Sequence, residues 1–270
     1  LEIAAPMASA LPPLLSEALN LPAGLTALPV SLRLRGNGTA DALSLNADIA
    51  LEDARLDANG VFDLPKARGE GSLTFRHPSA ARLFALSLGR EEPGWMGEGS
   101  ASLIARIVAE GSVFTLPFFT LVAAEARLEG EARLELNDAR PKLALRIAAE
   151  NLALPKLDLT DQEPLPLAFL AALDGALSLN ATRIAVSGLP AVENAQAEVT
   201  LEGGRLQLAS FRTALAGGQM EGRGVLDISA QPPRLEGDFE ITDATLAHPI
   251  FDLPLDLAAG RIALAGRLAG

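Results

Sequence analysis

The stretch Leu43-Ser44-Leu45-Asn46-Ala47-Asp48-Ile49-Ala50-Leu51 alternates apolar and polar residues with a period of two. A chain with that spacing is an extended strand, its side chains falling on one dry and one wet face. The same alternation runs through Leu32 and Leu34, Leu73 and Phe75, Leu143, Leu145 and Ile147, Leu177 and Leu179, Val199 and Leu201, Leu206 and Leu208, and Leu235, Phe239 and Ile241. Asn37-Gly38, Asn59-Gly60, Gly203-Gly204, Gly217-Gly218 and Pro232-Pro233 punctuate these runs as turn signals. The pattern predicts a meander of roughly a dozen antiparallel strands, well above the usual strand share.

Two segments leave that period. Pro78 to Leu88 and Pro166 to Leu173 carry apolar residues at three- and four-residue spacing after an N-terminal proline, which predicts two short helices. Helices so brief are marginal alone, so they are expected to cap or line the sheet. The expected fold is mainly β: an elongated, curled antiparallel sheet with a hydrophobic groove built from repeats, plus two short capping helices. Residues 1–30 read as an irregular or helical lead-in, 31–110 as a first β-groove unit, and 111–270 as repeated β-groove units.

The 270 residues include 34 acidic and 22 basic side chains, a formal charge of -12. A phosphate backbone would meet net repulsion, and no Arg/Lys patch is interleaved with aromatics, so nucleic acid is not the expected ligand. With no cysteine, thiol catalysis, iron–sulfur clusters and disulfides are excluded. Mean hydropathy is +0.25, yet no run of about 18 uncharged apolar residues exists to span a bilayer. Leu1 to Leu21 lacks the basic start of a signal peptide. The chain begins without Met and stops after the strand-like Gly260 to Gly270, so it is expected to be a piece of a longer protein whose anchor or export signal lies elsewhere.

Shifting the chain by 92 residues aligns Leu116–Leu154 with Leu208–Leu246 without a gap. Phe119 then falls on Phe211, Glu129-Gly130 on Glu221-Gly222, Leu134 on Leu226, Pro141 on Pro233 and Leu143 on Leu235. Shared glycines and prolines tie equivalent strands to equivalent turns, so a structural repeat is expected.

The histidines are His77 and His248, each before a proline that holds its neighbour extended. That position favours solvent-facing turn residues over a base or ligand. Carboxylates such as Asp238 and Glu240 hold alternate strand positions, which places them on the wet face rather than in a catalytic dyad. Gly217-Gly218 is not followed by the Lys and Ser/Thr of a phosphate loop. Asn180-Ala181-Thr182 matches a glycosylation sequon but sits in a strand run, and Trp95 reads as a turn-packing residue. No catalytic residue, metal site or cofactor is expected.

The informative feature is the apolar stripe. Leu143, Leu145, Ile147, Val199, Leu201, Leu206, Leu208, Leu226, Ile228, Leu235, Phe239 and Ile241 are expected to share one surface, because they hold alternate positions on successive strands. The bland alternative is the inside of a sandwich or closed barrel. Strands rich in slender residues (Ala181, Ala195, Ala197, Gly222, Gly224) and poor in aromatics fill such a core less readily, whereas repeats in common register stack into an open sheet. A long exposed apolar surface calls for a greasy occupant.

From Leu165 onward come a short amphipathic helix, Asp174-Gly175 with Ala-Leu-Ser-Leu-Asn-Ala, the run from Val192 through Gly203-Gly204-Arg205-Leu206, and Ala214-Leu-Ala-Gly-Gly-Gln-Met-Glu-Gly-Arg-Gly-Val-Leu-Asp227. In that order they resemble the C-terminal region of AsmA-family proteins. Arg76-His-Pro-Ser-Ala-Ala-Arg-Leu83, with Gly89 and Gly99-Ser-Ala-Ser-Leu103 after it, is similar to an earlier helix-containing unit of that family. The resemblance spans Ser31 to Gly270 and extends to the TamB-like and YdbH-like relatives that share the groove design. It implies a periplasmic, inner-membrane-anchored protein of a Gram-negative bacterium, and a β-groove that passively conducts phospholipid or another acyl-chain ligand between inner and outer membrane in support of outer-membrane biogenesis. An outer-membrane partner is implied as well. The alternative is a structural or interaction module assisting outer-membrane protein assembly through strand addition at a sheet edge.

Overall fold

The structure, a computed structural model, describes residues 2–5, 28–88, 98–136, 140–154, 173–186, 191–230, 233–243 and 260–267. Among them are fifteen strands and one helix. The chain divides by contact into two units, Leu1–Glu125 and Ala126–Gly270. The division follows the seventh strand instead of falling at residues 110 and 111.

Unit 1 holds β1 (Glu2–Ala5), β2 (Val30–Thr39), β3 (Ala42–Leu51), β4 (Ala54–Asp63), β5 (Arg68–His77), α1 (Ala80–Leu88), β6 (Ala101–Glu110) and β7 (Val113–Ala123). Its strands pair in chain order, every neighbour antiparallel. The lead-in expected to be irregular or helical thus contains a strand. Ile3 stands opposite Leu32 in the ladder.

Unit 2 holds β8 (Ala126–Glu135), β9 (Lys142–Leu154), β10 (Asp174–Val186), β11 (Val192–Glu202), β12 (Arg205–Leu215), β13 (Gly218–Asp227), β14 (Arg234–Thr242) and β15 (Gly260–Arg267). One neighbouring pair departs from the expected antiparallel meander: β9 and β10 run parallel. Parallel neighbours need a crossover of a dozen or more residues, and residues 155–173 supply the length. The helix expected at Pro166 to Leu173 falls in that connection and lies almost wholly outside the described residues; Trp95 and His248, elsewhere in the chain, lie outside them as well. Asp174 pins the start of β10. It faces Arg140 at 3.0 Å, and its Oδ1 accepts a hydrogen bond from the Gly203 N–H at 2.9 Å.

Tight turns follow local chemistry. Gly203 and Gly204 both have positive φ (59° and 80°), the geometry of a two-residue hairpin that matches strand twist. Asn59-Gly60, expected as a turn, lies inside β4 instead. Gly60 stands opposite Gly71, where a Cβ on either residue would crowd the other strand's backbone; the glycine marks a close approach, not a bend. Asn37-Gly38 likewise ends β2 within its strand.

Helix α1 begins two residues after Pro78, where the sequence reading placed its start, and runs to Leu88. The Ser79 side chain caps it, accepting the Arg82 N–H at 3.1 Å, and the Ala80 N–H donates to the Gly99 carbonyl at 2.7 Å. His77 corrects the expectation of a solvent-facing turn residue: it is 3% exposed, and its Nδ1 lies against the Ser79 backbone, 2.6 Å from the carbonyl oxygen and 3.1 Å from the nitrogen. Proline dictated extended geometry at His77, and the alternation of β5 then turned the ring to the dry face with Leu73 and Phe75.

Strand bounds and registers coincide under the 92-residue shift. β7, Val113–Ala123, falls on β12, Arg205–Leu215, and β8, Ala126–Glu135, falls on β13, Gly218–Asp227. Gly130 opposes Ile147 as Gly222 opposes Phe239. The ladder slips after Arg106 in β6 and after Glu198 in β11, positions also 92 apart. Gly111 and Gly203 share φ near 60°, and Ala124 and Ala216 share φ near 50°.

Candidate functional site: a registered apolar face

Residues directly opposite in a ladder point to the same side of the sheet. In unit 2, one such row runs Leu134, Leu143, Gly175, Leu201, Leu206, Leu226, Leu235 across β8 to β14. The next row runs Ala132, Leu145, Leu177, Val199, Leu208, Gly224, Gly237, and the third Gly130, Ile147, Leu179, Ala197, Phe211, Gly222, Phe239. Ile241 continues the face opposite Met220. Eleven of the twelve residues singled out from the sequence are thus brought to one side. Ile228 is the exception: it lies past the end of β13, where its N–H donates to the Gly204 carbonyl at 3.0 Å.

Unit 1 repeats the arrangement. Leu32, Ile49, Leu56, Phe75, Leu103 and Leu121 form one row and Leu34, Ala47, Ala58, Leu73, Ala105 and Phe119 the next. These faces are only partly withdrawn from water. No large side chain among the described residues is fully buried, and in unit 2 burial concentrates around Ala149, Ala181, Ile184 and Ala195. Domains ordinarily bury a sheet's apolar face against a second layer. Most of the Leu, Ile and Val positions in these rows are only partly buried.

The opposite face carries cross-strand ion pairs, with Val61, Ile104 and Phe118 exposed among them in unit 1. Arg68 meets Glu110 at 2.6 Å and Arg106 meets Glu70 at 2.8 Å between β5 and β6; Ser178 donates to Glu198 at 2.8 Å between β10 and β11. Glu131 on β8 pairs with Arg146 on β9, and the positions 92 residues later carry the same pair reversed, Arg223 with Asp238 at 3.5 Å. Charge matching at one register, with the signs exchanged, keeps that face wet in both places.

A feature that sequence reading missed recurs in each unit. In β4 and β5, Gly60 opposes Gly71 and Phe62 opposes Gly69; in β13 and β14, Gly237 opposes Gly224 and Phe239 opposes Gly222. Each phenylalanine ring lies over the glycine across from it, so that a Cβ there would overlap the ring. The signal was present as Gly-x-Phe paired with Gly-x-Gly, but the pairing is visible only once register is known.

Polar chemistry does not converge. A cleft of about 360 Å³ beside the β12 bulge is lined by Ser210, Arg212, Glu221, Arg223, Asp238 and Phe239, and Arg212 faces Glu221 at 3.3 Å there. Two carboxyls are held below the ordinary carboxylate range. For Asp63 the main cause is a hydrogen bond from Lys66, and for Asp227 one from Ser229; both are turn contacts at strand ends. Among the described residues no group of three or more His, Asp or Glu is placed to hold a metal ion, and no helix is long and apolar enough to cross a membrane. No protein-family model, curated protein or solved structure matches the chain.

Proposed function

We propose that the chain is a lipid-binding segment of an AsmA-like periplasmic protein, which conducts phospholipid passively along its apolar face and performs no chemistry on it. The observation that carries the reading is the continuity of that face: in unit 2, registered Leu, Ile, Val, Ala and Phe rows cross strand after strand, only partly buried, with the cross-strand ion pairs Glu131–Arg146, Arg212–Glu221 and Arg223–Asp238 on the other side. Acyl chains would lie on the rows while head groups stay in water. Each methylene withdrawn from water contributes about 0.8 kcal/mol, and a lining uniform in chemistry lets a chain slide without a deep trap. Coincident strand bounds, registers and reversed ion pairs at the 92-residue shift support reading β12 as a repeat of β7, and β13–β14 as a repeat of β8–β9.

Native mass spectrometry of the purified protein tests the proposal. Phospholipid masses that leave on delipidation and return with added phospholipid are expected. A protein that never carries lipid would instead favour the structural module recognised through strand addition.

A further inference from the structure

We propose that α1 is a latched gate over one end of the unit 1 apolar face, a device that rests on the lipid-binding reading and adds regulation to it. Burial in unit 1 is uneven. Val30, Ala54, His77 and Ala101, at the strand ends and on the dry face, are 9% exposed or less; Leu32, Ile49, Leu56, Phe75, Leu103 and Leu121 one step further in are only partly buried, and burial returns at Ala105 and Phe119 in the row beyond. Ala80 and Ala85 of α1 are buried at the same end. Small residues on both sides let the helix settle close, and lifting it would lay open the end of the apolar rows.

The helix is built to be released. Nine residues make it too short to persist without docking, and it has no acidic residue in its first turn and no basic residue in its last to offset its dipole. One side-chain tether is Arg82, whose fork reaches across to the β3–β4 turn, 2.8 Å from Glu52 Oε1 and 3.9 Å from Asp53. Glu52 itself sits at φ 52° and its second oxygen, Oε2, is buried without a hydrogen-bond partner. A carboxylate satisfied on one side only carries a desolvation penalty that water relieves on opening, so the latch holds the helix while lowering the cost of its release.

The absence of native cysteine permits a direct test. Glu52→Cys with Arg82→Cys, joined by a short bismaleimide, locks the gate; Arg82→Ala frees it, and Arg82→Lys keeps the charge without the fork. Uptake of a fluorescent phosphatidylethanolamine from phosphatidylethanolamine/phosphatidylglycerol vesicles is followed together with hydrogen exchange. The expected result is at least tenfold faster exchange of the α1 amides in Arg82→Ala with strand amides unchanged, faster uptake, an intermediate Arg82→Lys, and at least tenfold slower uptake in the linked protein than in its unlinked parent. Equal uptake by linked and unlinked protein overturns the gate and leaves the lipid reading intact. No uptake by any form overturns the lipid reading, and the gate falls with it.

Discussion

Gly222 and Phe239 stand opposite each other on β13 and β14, the phenylalanine ring resting where a side chain on Gly222 would project. Aromatic cover of a strand glycine compensates for the packing a Cβ-less residue forgoes. The relation predicts non-additive substitutions. Gly222→Leu should destabilise by about 1–3 kcal/mol through overpacking, and Phe239→Ala should recover a large part of that loss in the double variant. Urea midpoints of the four proteins measure it; simple addition of the two single effects would contradict the contact.

The reversed ion pairs give a second expectation. Arg223→Glu alone places like charges opposite each other and should cost about 0.2–1 kcal/mol, while Arg223→Glu with Asp238→Arg reproduces the polarity of Glu131 and Arg146 and should restore stability. Both side chains are largely exposed, so the effect should shrink in high salt. Thermal midpoints at low and high ionic strength check both points.

Acid should loosen the turns after β4 and β13. The folded state holds the Asp63 and Asp227 carboxyls below their ordinary values, through Lys66 and Ser229 respectively, so their contribution is complete above the ordinary carboxylate pKa and is lost as pH falls through the lowered one. Asp63→Asn and Asp227→Asn should therefore lower the neutral plateau of a stability-against-pH curve and leave its acid end nearly unchanged, which flattens the acid limb. An acid limb identical to that of the parent would contradict the assignment.

Strand-forming character was legible because period two is a local property: Leu43 to Leu51 became β3 nearly residue for residue. Helix α1 was legible for the same reason, from Pro78 and the three- and four-residue spacing of its apolar residues. What escaped depends on partners distant in sequence. Nothing in Lys142–Leu154 states that β10 will join it in parallel, since direction is set by the long connection between them. Asn59-Gly60 has the composition of a turn, and only its place between Leu45 and Gly71 shows why a glycine is needed in mid-strand. Ile228 keeps the alternation of Leu226 yet falls past the strand, because the ladder of β13 ends at Asp227 opposite Arg234.

The central claim is that acyl chains travel on the registered apolar face. Leu208, between Val199 and Gly224 in the middle of that face, and Gln207, exposed on the other, are adjacent in β12, which makes them a matched pair. An unpaired aspartate against hydrocarbon costs a few kcal/mol, so Leu208→Asp should slow passage by two orders of magnitude or more while Gln207→Asp leaves it nearly unchanged. The measurement is phospholipid photocrosslinking to residues on either side of position 208, in the full-length protein at matched abundance. Loss of crosslinks in Leu208→Asp alone is the predicted result; equal crosslinking in the two variants would contradict the account.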